Sequence, residues 1–324
     1  MLKSILSLQE GNGFFPTFVS EFGNKIYEKD YPQIKNIGCH TFILQNLFEF
    51  DSKNPEIRNS FFKGLEYIFN NAVLYKGKLL WKWLKHSPKR FWNYPPDIDD
   101  ISRAREIITI AKKEGFPLKE GFSNFDYNSL LDKIISKEGV KTFLGEKKNN
   151  AICPVVNANV LSSLGLHIKY NQELPSEDIY FNKIKNFLNK FIYSKKFQNE
   201  SFPNLSKFYL SANFFSYLIS NQKEYFEDFT LKIIKDKVEV SKGNYLNSLE
   251  AALGTFTLIN LNGNLSYIQK GIEQIKLLQD KQKNLWKANP LYQHKRSRTI
   301  FGSSALTSSF CFKTLEKYNS LNNF

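Results

Sequence analysis

Apolar residues return at helical spacing in segment after segment of this 324-residue chain, and that recurrence restricts it to architectures built from helices. In 34–50 the positions Ile37, Cys39, Phe42, Leu44, Leu47 and Phe48 share one helical face, and in 61–69 Leu65 and Ile68 continue the pattern. The same spacing predicts helices near 98–113, 127–136, 154–165, 179–193, 206–219, 224–236, 244–260, 264–279 and 302–317. Connections such as Asp51-Ser52-Lys53-Asn54-Pro55 and Asn260-Leu261-Asn262-Gly263-Asn264 are short and carry breakers, which suits antiparallel helix pairs. Alternating strand pattern is scarce: Asp236-Lys237-Val238-Glu239-Val240 is the one candidate strand or extended linker, so almost no sheet is expected. Successive pairs of roughly 40 to 55 residues suggest a degenerate repeat, which either closes into a ring or opens into a solenoid. No Pro/Ser-rich linker divides the chain, so one domain spanning 1–324 is expected, with a short N-terminal extension of about 30 residues.

Thirty Phe and sixteen Tyr exclude disorder as a whole-chain reading and provide for a large core. The net charge of +14 raises nucleic acid or an anionic membrane surface as partners. The lysines are dispersed among apolar and acidic residues, as in Lys232-Ile233-Ile234-Lys235-Asp236-Lys237, and no nucleic-acid signature accompanies them. A solvated basic surface is therefore expected, with no nucleic-acid partner. Cys39, Cys153 and Cys311 stand far apart without metal-ligand spacing and read as small buried residues. No 18-residue apolar run occurs and the N-terminal apolar stretch is too short for a signal peptide, which makes a cytoplasmic location the default expectation.

The chemistry-bearing stretch is 80–100, with Trp81, Trp83, Trp92 and Tyr94 followed by Pro95-Pro96 and then Asp97-Ile98-Asp99-Asp100. Aromatic faces stabilise cations, and clustered carboxylates share a proton or hold a divalent metal. The same residues are a good helix start, with Asp97 as N-cap and acids in the first turn answering the helix dipole. Both readings stay open on the sequence.

The run Asp97-Ile98-Asp99-Asp100 resembles the DxDD motif of class II terpenoid cyclases, and the Trp-rich stretch with Pro-Pro looks like the wider squalene-hopene cyclase and prenyltransferase-like group. That resemblance implies an all-α fold, an α/α toroid of paired antiparallel helices. It also implies protonation-initiated cyclisation of an isoprenoid or other apolar molecule, with Asp99 as general acid supported by Asp97 and Asp100. Trp81, Trp83, Trp92 and Tyr94 would shield the cation, and Asn157 and Asn159 would face the ring interior. Ile101-Ser102 follows the motif where Thr-Ala is common in the group, and the Gln-Trp repeats of the group are not found.

Lys295, Arg296 and Arg298 precede a candidate helix start at Gly302-Ser303-Ser304 and form a candidate diphosphate site, with Mg as its cofactor if the substrate is a diphosphate. The other reading is a basic loop before a serine cap. His40, His86, His167 and His294 are too dispersed for a metal motif, so no metal ligands are assigned. A second enzymatic reading keeps the toroid and uses paired carboxylates on a glycan, Asp99 with Glu250. A third is a non-catalytic lipid- or protein-binding helical module.

Overall fold

The computed structural model describes residues 1–21, 33–83, 95–122, 127–145, 150–171, 178–295 and 298–322. Among them the order is α1 (Leu2–Leu6), β1 (Thr17–Glu21), β2 (Gln33–Ile34), α2 (Ile37–Phe50), α3 (Pro55–Asn70), β3 (Val73–Tyr75), β4 (Lys78–Leu80) and α4 (Ile98–Lys113). Next come α5 (Asn128–Ile134), β5 (Ile135–Ser136), β6 (Gly139–Val140), α6 (Pro154–Asn171), α7 (Ile179–Tyr193), α8 (Lys195–Asn199), α9 (Phe202–Leu205) and α10 (Ala212–Asn221). The chain ends with α11 (Asp228–Glu239), α12 (Ser248–Asn260), α13 (Leu265–Leu277), β7 (Asn289–His294), β8 (Thr299–Ser303) and α14 (Ser304–Asn322).

Helix dominates, as the periodicity predicts, and the helices begin where short polar side chains can receive the first free backbone N–H groups. Asn36, Asn54, Asp97, Asp178, Ser194, Ser211, Asn247 and Asn264 each accept such a bond. A cap of this kind contributes about 1 kcal/mol, so the boundaries are written locally.

Six helices touch in a cycle: α2 packs on α4, α4 on α6, α6 on α10, α10 on α12, α12 on α14, and α14 back on α2. These six are the most completely buried, and the amphipathic α3, α7, α11 and α13 lie outside them against their sequence neighbours. The inner helices run parallel. Their N-terminal ends meet through Asn159 on α6 with Asp99 on α4, and Asn213 on α10 with Glu250 on α12. Their other ends meet where Asn260 of α12 reaches Asn221 of α10. Rings fill the middle: Phe42 lies 5.2 Å from Phe214 and 6.2 Å from Phe310, and Tyr217 packs 5.2 Å from Phe310.

Two sequence expectations need correction. Residues 236–239 are the end of α11, because Ile234 and Val238 continue its buried face through the short alternation. Sheet is also more than vestigial: a four-stranded antiparallel sheet runs β2-β1-β8-β7, with Val19 opposite Phe301 and Gln293 opposite Ile300. Residues 1–21 are tied to the helices through this sheet, with Ile5, Phe14 and Phe15 fully buried and α1 packed on α14 and α3. Gly13, at φ 89°, allows that return, since a Cβ there would stand 2.0 Å from the Lys63 carbonyl oxygen. Among the described residues no helix is long and apolar enough to cross a membrane.

Candidate active site

Asp97 ends the extended segment before α4. Residues 96–98 are clamped against 142–144 by Ile98 N–H to the Thr142 carbonyl (2.8 Å) and Leu144 N–H to the Pro96 carbonyl (2.9 Å). Its Oδ1 accepts from Asp100 N–H at 2.9 Å as the helix cap, and its Oδ2 accepts from Trp83 N–H at 3.2 Å. The capping reading and the chemical reading therefore apply to different acids. Asp97 is the cap, and it carries Asp99 and Asp100 into the first turn at the mouth of the ring.

Neighbouring residues on a helix diverge by about 100°, and these two carboxyls have different surroundings. Asp99 Oδ1 accepts from Asn159 Nδ2 at 2.7 Å, and its Oδ2 accepts the Tyr209 hydroxyl proton. Asp100 turns toward α2, where a Cβ on Gly38 would lie 3.6 Å from Asp100 Oδ1 and 2.6 Å from the Tyr292 hydroxyl. Asp100 Oδ2 is buried and receives no hydrogen bond from the protein. Tyr209 and Tyr292 pack at 4.8 Å between centroids, and Gln293 N–H donates to the Phe208 carbonyl at 2.7 Å, so the strand before α10 is laced to β7.

All three carboxyls are pushed up. Burial is the main cause for Asp97, followed by the charge of Asp99, and its pKa reaches about 7. Burial raises Asp99 as well, opposed by the Tyr209 and Asn159 hydrogen bonds and the charge of Arg103. Asp100 is raised well above the usual carboxylate range by burial and then by Asp97 and Asp99. The helix N-terminus favours the ionised form by about 0.3 to 1 kcal/mol, less than one pKa unit, so burial wins.

These acids floor a small cavity of about 50 Å³ walled by Trp83, Phe143, Phe208, Tyr292, Gln293 and His294. The Trp83 ring stacks on His294 (6.3 Å) and meets Phe301 edge-on (4.6 Å). The space admits a water or two as it stands, well short of the several hundred Å³ that an isoprenoid chain occupies.

Some of the expected site residues stand elsewhere. Trp81 is core, donating its Nε1–H to the Ile68 carbonyl at 2.9 Å and packing on Phe122. Asn157 is structural: it is bonded to both backbone groups of Val140 (2.8 and 3.1 Å) and holds β6 onto α6. Trp92 and Tyr94 lie outside the described residues, as does Arg296. Lys295 and Arg298 are exposed in the turn between β7 and β8, with Lys295 Nζ donating to the Pro203 carbonyl. Gly302-Ser303-Ser304 does open the last helix, with α14 beginning at Ser304 and Ser303 Oγ accepting from Leu306 N–H at 3.4 Å, but β8 fills Thr299–Ser303 and sets that helix start about one strand length, roughly 17 Å, from the turn. Lys295 and Arg298 thus do not converge with that helix N-terminus on a diphosphate. Glu250 sits at the start of α12, bonded to Asn213 Nδ2 at 2.8 Å, and does not line the acid cavity. Cys39, Cys153 and Cys311 are buried free thiols. Sequence reasoning missed Tyr209, Tyr292, Gln293 and His294, which carry no motif and reach the acids through strand pairing.

No protein-family profile matches the chain, and no curated protein sequence does. The fold is similar to that of two helix-rich solved structures. A possible member of the GH105 family from Salmonella enterica subsp. enterica serovar Paratyphi A superposes with a TM-score of 0.62 at 10% identity, over 100% of this chain and 93% of that one. A GH76 α-mannanase from Bacteroides thetaiotaomicron superposes with a TM-score of 0.60 at 12% identity, over 100% of this chain and 96% of that one. Neither of these glycoside hydrolases is a terpenoid cyclase, and the DxDD likeness finds no support from them.

Proposed function

We propose that this chain is a single α/α-toroid domain that processes a glycan, with Asp100 as the proton donor and Asp99 as the ionised partner carboxylate. The observation that carries the reading is the contrast between the two acids. Asp99 accepts two hydrogen bonds, which favour its charge, whereas Asp100 Oδ2 accepts none and is crowded by like charge. Pairs of carboxyls whose surroundings drive their proton affinities apart divide acid and base work between them. Asp100 would protonate the glycosidic oxygen, and Asp99 would oppose the positive charge growing on the sugar ring, while Tyr209 and Asn159 hold it in place. Trp83, Phe143 and Phe208 offer ring faces to the apolar side of a sugar, and Gln293 and His294 offer polar edges. Opening of the small cavity accompanies entry of a ring.

The cyclase assignment gave the donor role to Asp99. Two donated hydrogen bonds and the restricted cavity weigh against it. The test is incubation with neutral and acidic polysaccharides, scored by new reducing ends, with isoprenoid substrates in parallel. Release from one glycan class is expected. Asp99→Asn and Asp100→Asn should each lower it by roughly 10² to 10⁴, with melting temperatures equal to or above that of the parent. Cyclised isoprenoid with no glycan cleavage would overturn the assignment. A melting temperature that collapses in Asp99→Asn, with no turnover of either class, would return the acids to a purely structural role.

A further inference from the structure

We propose that the substrate of this chain is an anionic polysaccharide, held on its way to the acids by a basic groove beside the mouth of the ring. This deepens the glycan-processing reading and rests on it for the chemistry of the polymer that is held. The groove measures about 910 Å³, against about 50 Å³ at the acids, and runs between the turn joining β5 to β6 and one face of α7. Such a space falls within the range of about 300 to 1,000 Å³ in which ligands are ordinarily enclosed.

The lining is charged almost entirely in one sense. Lys137, Lys183, Lys190 and Lys196 stand exposed around the groove, with Glu138 as the single acid of the lining. Among the described residues none of the four ammonium groups has an ion-pair or hydrogen-bond partner, so all four can meet an anion. Lys183 and Lys190 stand about 10.5 Å apart along the axis of α7 and bracket Phe187. Phe187 and Phe191 are half-buried with centroids 6.4 Å apart, and together with Ile152 and Leu205 they give the groove an apolar floor. Gly139, at φ 116°, lets the hairpin of β5 and β6 close on that floor, since a Cβ there would lie 2.9 Å from Phe187 Cγ. Amines at the rim above ring faces on the floor suit a polymer of sugar rings that carry carboxylate or sulfate groups.

The groove leads to the acids. Ile152 on its wall bridges Lys141, the neighbour of Thr142 in the acid cavity, and Leu205 stands just before Phe208, which walls that cavity. Pro154 in the groove and Asn159 at Asp99 lie about 7.5 Å apart along the axis of α6. Lys207 Nζ, 5.6 Å from the Phe208 ring centroid, carries the positive charge on to the cavity mouth. Continuity with the acid pair selects a glycan over a nucleic acid, since two carboxyls of unlike proton affinity serve a glycosidic bond.

The test is fluorescence anisotropy of the full chain with labelled alginate oligosaccharides, with dextran as the neutral glycan and oligothymidylate as the competing polyanion. Saturable binding of alginate is expected, weakened by added salt and at least roughly tenfold tighter than that of dextran. The double variant Lys190→Glu with Lys196→Glu should weaken alginate by roughly tenfold or more with an unchanged thermal melt, and Lys137→Glu on the opposite wall is the second variant. Lys270→Glu with Lys276→Glu on α13, which packs on α12 away from the groove, should leave the binding intact. Equal weakening by the α13 pair means that diffuse net charge holds the polymer and overturns the proposal. Absence of alginate binding, dextran bound as tightly as alginate, or oligothymidylate bound more tightly overturns it equally. Anisotropy reads binding apart from cleavage: alginate held through these lysines but never cut by the parent chain would overturn the acid pair and leave the groove standing. Cleavage of dextran alone, with no lysine-dependent binding, would overturn the groove and leave the acid pair standing.

Discussion

At the scale of single residues, the stability of this protein is tied to protons held by the acids of α4. Asp97 moves from the ordinary 3.8 to about 7 in the folded chain, so between roughly pH 4 and 7 the native state keeps a proton that the unfolded chain has released. Unfolding then sheds a proton, and stability falls as pH rises through that window; below it both states are protonated and the term vanishes. Asp100, raised well above its usual range by burial and by the charges of Asp97 and Asp99, adds a loss of the same sign. Asp100→Asn removes one of these groups and a like charge beside Asp97. It should therefore raise stability at pH 8 by on the order of 1 to 3 kcal/mol and flatten the slope between pH 4 and 7. Urea titrations of both proteins across that range read this directly, and an unchanged slope would mean that the Asp97 and Asp100 carboxyls are already ionised. The buried Arg103–Glu106 pair is a contrasting case: matched charges there leave a network that is costly to break from one side only.

At the scale of elements, the site depends on how closely α2 approaches β7. Gly38 lies in the first turn of α2 because a Cβ there would meet the Tyr292 hydroxyl at 2.6 Å, inside van der Waals contact. Gly38→Ala should displace Tyr292, widen the contact with Asp100 and cost about 1 to 3 kcal/mol, the usual range for overpacking, although alanine is the better helix former. Loss of glycan turnover beyond the loss of folded protein, measured on the soluble fraction, would tie Tyr292 to the chemistry; a more stable Gly38→Ala would show that the ring has room to give. The hairpin of β7 and β8 acts as a wall that no helix could replace. Its pleat turns Tyr292 and His294 to one face, two residues apart, toward acids on a helix far away in the chain.

At the scale of the whole molecule, the closed cycle of six helices makes the first and last segments mutually dependent. β1 is a partner of β8, and α1 covers α14, so residues 1–21 seal the seam where the ring closes. Deleting them exposes Phe14 and Phe15 contacts and leaves an unpaired edge on β8. We expect the melting temperature to drop by roughly 10 °C or more, or the protein to aggregate, in line with the 2 to 4 °C per kcal/mol typical of larger domains. A truncated chain that melts like the parent would show the seam to be dispensable. The dispersed lysines have no such role: Lys183, Lys232 and Lys242 stand on outer, solvated surfaces.

Much of the helical frame was determined by the sequence alone. The start and end of α4 and α7 follow from apolar spacing together with Asp97 and Asp178 as caps, because a helix is closed by hydrogen bonds between residues four apart and its signals lie within its own span. The acid run was legible as a helix start for the same reason. Only the tertiary structure decided the rest. Strands β1 and β8 show no pattern that names each other across the length of the chain, and Tyr209 is 110 positions from the Asp99 carboxylate it donates to. Which acid keeps a proton depends on burial and on donors brought from α6 and the strand before α10, and a carboxyl's charge state is a property of its surroundings, which the chain creates only by folding.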